Sequence, residues 1–191
     1  ALSAPLAWLG WLVYLDVQTP GAGLGPDAGE ALVGYLGEWS IRMLLLAFAV
    51  TPLRHWSGST FWIRNRRMVG LFAFAYVCLH ISSYVALYLG FALDALFEDI
   101  VERPYITMGM LGFTCLLPMA LTSTQGWRRR LRHNWQRLHR LIYVAIAAAL
   151  VHLWWLTRDG FLELSLYTIC FAILCLERMR RGARGRVVSG T

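Results

Sequence analysis

The sequence predicts an all-α polytopic membrane protein, a six-helix transmembrane bundle with its first helix truncated at its start and both termini cytoplasmic. Three observations predict it. Of 191 residues, 58% are hydrophobic, and the mean hydropathy is +0.51, more apolar surface than a water-soluble domain of this size buries easily. The apolar residues fall in runs long enough to be membrane spans. The charges between those runs are sorted by sign: segment 54–67, segment 128–140 and the C-terminal tail hold 4, 6 and 5 arginines, together 15 of 18, while ten of the eleven acids fall on the opposite side. Arginine marks the cytoplasmic face of a membrane protein.

Residues 1–15 are apolar but short for a crossing, and the numbering opens on Ala1, so they read as a truncated first span. Residues 16–38 carry Asp16, Asp27, Glu30 and Glu38 with Pro20, Gly21, Gly23, Gly25 and Pro26, the composition of an exposed outer loop. A second span runs from Trp39 to Leu53, with Pro52 as its terminator. The third, from Met68 to Gly90, has no formal charge besides any on His80. An acidic loop with Asp94, Glu98, Asp99 and Glu102 leads to Pro104, which opens a fourth span from Tyr105 to Leu121. The fifth run, residues 138–155, carries a histidine near each end, and the sixth extends from Phe161 to Leu176 after an Arg158–Asp159–Gly160 turn. Residues 177–191 form a basic cytoplasmic tail, and 1–191 reads as one domain.

Composition excludes several classes. The net charge of +7 comes from arginines lying between spans, which orient the chain and can attract anionic lipid, a flavin phosphate or an acidic cytoplasmic donor, rather than marking nucleic-acid binding. Cys78, Cys115, Cys170 and Cys175 sit in apolar segments without a CxxC pair, so neither a disulfide framework nor a zinc site is indicated. CxxCH is absent, which excludes the usual covalent attachment of a c-type haem. Trp39, Trp62, Trp127, Trp135, Trp154 and Trp155 lie near span ends, as an interfacial aromatic belt does.

Histidines inside spans are the candidate functional residues, because an imidazole in hydrocarbon is costly without a partner. His80 lies 13 residues beyond Arg67 and His152 lies 12 beyond Arg140, on two spans that both start from the cytoplasmic side. The two rings are expected at matched depth in the outer half. Two imidazoles facing each other from neighbouring helices suit axial ligation of a haem iron, whereas zinc or copper wants more ligands, with Cys78 left open as a further donor. The bland alternative is a pair of buried histidines bonded to serine, tyrosine or backbone carbonyls. His139 sits near the cytoplasmic end of the fifth span. Thirteen residues leave it about 140° from His152 on an ideal helix, so it serves a second haem with another kind of ligand, another cofactor, or only the interface. His55 and His133 read as solvated loop residues. Arg42, inside the second span, either snorkels to the surface or pairs with a haem propionate.

Arg66-Arg67-Met68-Val69-Gly70-Leu71 leading to Leu79-His80, Arg103-Pro104-Tyr105, Thr122-Ser123-Thr124-Gln125, and Trp135-Gln136-Arg137-Leu138-His139 followed by His152 together resemble one family. It is that of the MsrQ (formerly YedZ) haem-binding membrane subunits of bacterial methionine sulfoxide reductase systems, within the ferric-reductase-like transmembrane group. The resemblance covers nearly the whole chain. It implies a multi-pass b-type cytochrome of the bacterial inner membrane with one haem b or two and FMN as a further cofactor, and His80, His139 and His152 as ligands of haem iron. Gln125, Trp135 and Gln136 are candidate flavin contacts. It also implies electron transfer from a cytoplasmic flavin reductase or the quinone pool to a periplasmic molybdopterin-containing methionine sulfoxide reductase, for repair of oxidised periplasmic proteins. The chain would then be an electron-transfer subunit without a substrate site of its own, with the acidic loops as the partner's docking surface. The rivals are a stand-alone ferric or oxygen reductase and a non-redox transporter or scaffold.

Overall fold

The structure, a computed structural model, describes residues 2–157 and 161–188, the last seven of these by backbone alone. The turn expected at Arg158–Gly160 lies outside the described residues. Among the described residues all regular structure is helical: α1 (Ala4–Gln18), α2 (Ala28–Ser57), α3 (Phe61–Tyr88), α4 (Leu93–Glu102), α5 (Pro104–Leu121), α6 (Gln125–Leu131), α7 (His133–Leu138), α8 (Leu141–Leu156) and α9 (Phe161–Val188). Among the described residues four stretches are long and apolar enough to cross a membrane: α2, α3, α5, and α7 with α8 as one run from His133 to Leu156.

The helices begin and end where local chemistry dictates, and several expected boundaries move, α3 beginning at Phe61 rather than Met68 among them. The outer loop is shorter than 16–38, because residues 28–38 are the first three turns of α2. Asp27 caps that helix, its carboxylate accepting the Glu30 N–H at 2.8 Å. Loop 19–27 is folded back on α1, where Asp16 Oδ1 accepts the Gly21 and Leu24 N–H groups at 3.0 and 3.2 Å. Pro52 does not end α2; the helix continues to Ser57 and stops at Gly58, whose φ of +67° is the left-handed conformation glycine takes cheaply. Proline cannot bond the carbonyl four residues back, and here the freed Phe48 carbonyl accepts from Arg178 Nη2 at 2.7 Å. The same guanidinium lies 4.0 Å over the Phe48 ring. Thus Arg178, expected in the basic cytoplasmic tail, reaches back into the bundle from α9.

The acidic segment before Pro104 is a helix rather than a loop. Its α4 is amphipathic and is held by Asp99, which is 8% exposed, accepts the Tyr84 hydroxyl at 2.5 Å and pairs with Arg103 at 3.0 Å.

Packing builds the bundle from two antiparallel pairs, α2 against α3 and α5 against α8, joined by contacts of α2 with α8 and α3 with α5; α9 lies along α2 and α8. The core between them is apolar, with Phe48, Val50, Tyr76, Ala145 and Ile146 all at most 1% exposed. Tyr35 and Tyr76 tie α1 to it by donating to the Pro5 and Leu2 carbonyls, each at 3.0 Å.

Candidate functional site

His80 comes from α3 and His152 from α8, and the bundle brings them opposite each other: ring centres are 6.3 Å apart and the ring planes stand at 81°. Each ring is seated in the same way on the helix its own helix packs against. His80 Nδ1 lies 3.0 Å from the Val33 carbonyl of α2, and His152 Nδ1 lies 2.6 Å from the Tyr105 carbonyl of α5. A carbonyl only accepts, so both Nδ1 atoms carry the proton and both Nε2 atoms keep a free lone pair. Glycine makes the seats possible. A Cβ at Gly37 would stand 3.1 Å from His80 Cε1, and one at Gly109 would stand 3.1 Å from His152 Nδ1.

These rings share a cavity of about 490 Å³ walled by apolar side chains, with Tyr84, Arg103 and Tyr105 at its outer end. The geometry suits a metal between two imidazoles. Metal–nitrogen bonds of about 2 Å, with each ring centre roughly 1.1 Å behind its nitrogen, put the centres about 6 Å apart. Among the described residues no group of three His, Cys, Asp or Glu side chains could hold a bare metal ion. The donor set therefore fits a metal whose other ligands come from a macrocycle, as in a bis-imidazole haem.

A second cavity of about 730 Å³ opens beneath the first, toward the arginine-rich end, and the two share Leu44 and Leu116 as a common wall. His139, Gln125, Trp135 and Gln136 all line it, together with Arg64, Arg66, Arg67, Arg128, Arg132 and Arg178. Its histidine stands on a break, because the chain turns at His139–Arg140 between α7 and α8. The ring stacks on Trp135 at 3.8 Å, and its Nδ1 lies 3.0 Å from the Trp135 carbonyl. Trp135 is itself fixed by donating to the Thr122 carbonyl at 3.1 Å. Stacked aromatic, amides and guanidinium groups together suit a planar group bearing an anionic arm.

Arg42 is engaged elsewhere. It donates to Tyr167 at 2.8 Å and Glu38 at 2.9 Å, lies 5.2 Å from the Trp39 ring centre, and lines neither cavity. It thus ties α2 to α9, with its side chain 34% exposed. His55 is exposed at the end of α2, as expected of a solvated residue. Sequence reasoning missed Gly37, Gly109, the Val33 and Tyr105 carbonyls, and Arg178. The available signal was the equal spacing of each glycine from its histidine.

The family model described as "Ferric reductase like transmembrane component" matches residues 36–150. Among curated proteins, the "Protein-methionine-sulfoxide reductase heme-binding subunit MsrQ" of Xanthomonas campestris pv. campestris (strain 8004) is 44% identical over 174 residues, covering 91% of this chain and 80% of the relative. The protein of the same name from Caulobacter vibrioides (strain ATCC 19089 / CIP 103742 / CB 15) is 42% identical over 185 residues, covering 96% and 85%. No solved structure matches. With two facing histidines on an apolar helical bundle and this similarity over nearly its full length, the chain belongs to the ferric-reductase-like transmembrane family and, within it, to the MsrQ subunits.

Proposed function

We propose that the chain is a b-type cytochrome subunit that carries electrons across the bacterial inner membrane. They pass from a cytoplasmic flavin reductase or quinol to a periplasmic molybdopterin-containing methionine sulfoxide reductase, for repair of oxidised periplasmic proteins. The observation that carries this reading is the pair of imidazoles 6.3 Å apart, each with Nδ1 at a backbone carbonyl and Nε2 free. The names of the relatives, which call them haem-binding subunits of methionine sulfoxide reductase, agree with it.

In this reading His80 and His152 hold the outer haem, which supplies one-electron chemistry when bound. The protein's share would be to present two pre-oriented imidazoles and an apolar wall that excludes water and tunes the potential. The inner cavity takes FMN or a second haem, with His139, Gln125, Trp135 and Gln136 around the planar group and the arginines at its anionic arm. Leu44 and Leu116, which line both cavities, would lie between the two cofactors. Six crossings, with α1 and α9 completing the four apolar stretches, put both termini and the arginine-rich ends in the cytoplasm. The acidic face of α4 and the Asp27–Glu30 end of α2 then meet the partner.

The test is a dithionite-reduced minus oxidised visible spectrum of the detergent-purified protein, with extracted haem and flavin quantified. His80→Ala and His152→Ala should each abolish the sharp low-spin band while the protein remains inserted. Normal haem content in either variant would sink the ligand assignment, and a protein colourless even after haem supplementation would overturn the electron-transfer role.

A further inference from the structure

We propose that α4 is an interfacial helix, whose apolar ridge of Leu93, Phe97 and Val101 is seated in the phospholipid of the outer leaflet while its acidic row faces water. The helix has three faces. Leu96, Asp99 and Ile100 turn inward: Leu96 lines the outer cavity, and Asp99 is held by Tyr84 and Arg103. At about 100° per residue, Leu93, Phe97 and Val101 form a row roughly 100° round from that inward face, and Asp94, Glu98 and Glu102 form a second row about 100° further on. The apolar row is 64–84% exposed. A helix lying in a membrane surface has this arrangement, one side in the acyl boundary and a charged side in water.

The level of α4 identifies what covers the ridge. Asp99 accepts the hydroxyl of Tyr84, one turn before the end of α3, and the Ile100 carbonyl accepts the Thr107 hydroxyl, one turn into α5, at 2.5 Å. Both α3 and α5 are long and apolar enough to cross a membrane, so α4 lies level with their outermost turns rather than beyond them. At the same end of the bundle, Leu87 and Tyr88 of α3 and Trp154 and Trp155 of α8 are exposed, the apolar and aromatic girdle of a bilayer boundary. The ridge extends that surface. A protein partner fits it less well, because it would have to reach below the ends of two spans. The entry into α4 gives a second reason. The chain turns through Gly90 at φ +54° and Phe91 at φ +65°, a left-handed conformation that a bulky residue rarely takes, and the Phe91 ring is 71% exposed. Hydrocarbon around that ring offsets the strain, whereas water does not.

No cofactor enters the test. Phe97→Cys, Val101→Cys and Glu98→Cys are each spin-labelled in a full chain whose four native cysteines are replaced by alanine, and placed in phosphatidylcholine nanodiscs. Electron paramagnetic resonance then compares collisions of the label with oxygen, which concentrates in hydrocarbon, and with a water-soluble nickel chelate. Labels at 97 and 101 should meet oxygen more often than nickel, and the ratio should reverse at 98. Nickel prevailing at 97 and 101 would place the ridge in water and overturn the proposal. Exclusion of both reagents at 97 would also overturn it, by showing that protein, a second copy of the chain included, covers the ridge. A second measurement keeps the native cysteines: p-benzoylphenylalanine replaces Phe97 in the otherwise unaltered chain, and bacterial membranes carrying it are irradiated. A phospholipid adduct is expected, and an adduct to protein alone overturns the assignment.

Discussion

Two glycines set how closely the histidines approach their neighbouring helices, and this makes them more sensitive positions than their size suggests. Gly37→Val and Gly109→Val put branched carbons where ring atoms already lie about 3 Å from a bare Cβ position. Overpacking of this kind costs roughly 1–3 kcal/mol, and here the strain falls on the two imidazole rings proposed as haem ligands. Both variants should insert and lose most of their haem, read as the ratio of haem absorbance to protein; full retention would show that the rings have room to move. Arg178 is the other residue whose role is local. It supplies the hydrogen bond that Pro52 denies to the Phe48 carbonyl, so Arg178→Ala leaves a carbonyl without its partner. The expected loss is about 1–3 kcal/mol of stability, measurable as a lower thermal midpoint in detergent. A Pro52→Ala change alongside should recover part of it, because the helix then satisfies that carbonyl itself.

At the scale of elements, α4 is a short helix that would be marginal alone, and its position depends on one buried carboxylate. Asp99 accepts from Tyr84 on α3 and pairs with Arg103 at the start of α5. Asp99→Ala removes both bonds at once. Amide hydrogen exchange over residues 93–102 should then speed up by roughly tenfold for a loss of about 1–2 kcal/mol of local stability, while exchange in α8 stays as it was. Equal exchange in α4 before and after would mean that packing alone holds it. The break between α7 and α8 is the matching device at the inner end, since it re-aims His139 and lets Trp135 stack on it.

Seen as a whole molecule, the bundle is polarised: guanidinium groups surround the inner cavity and carboxylates crown the outer one. Six crossings predict that single cysteines placed at Ala22 and Glu98 react with a membrane-impermeant thiol reagent added outside spheroplasts. Cysteines at Ser59 and Gly126 should react only after lysis. Labelling of Ser59→Cys from outside would invert the topology and with it the direction of electron flow. The same polarity predicts that an anionic occupant of the inner cavity is held less tightly at high salt, where screening weakens its arginines, while a haem held as proposed by His80 and His152 between apolar walls should be insensitive.

Hydropathy and charge sorting are properties of the chain read one residue after another, so the helical class, the apolar stretches of α3, α5 and α8, and the matched depth of His80 and His152 were all legible in the sequence. Depth along a helix follows from residue count alone. What the tertiary structure decided is everything that depends on direction and on neighbours distant in the chain. The seats of the two rings come from carbonyls 47 residues away, and Arg42 turns to Glu38 and Tyr167. Residues 28–38 join α2 because Asp27 caps it, and Pro52 passes inside a helix because an arginine from α9 replaces the missing bond. The Asp27 cap and the Arg42–Glu38 pair are local and readable along the chain; the others are hydrogen bonds whose partners no local pattern announces.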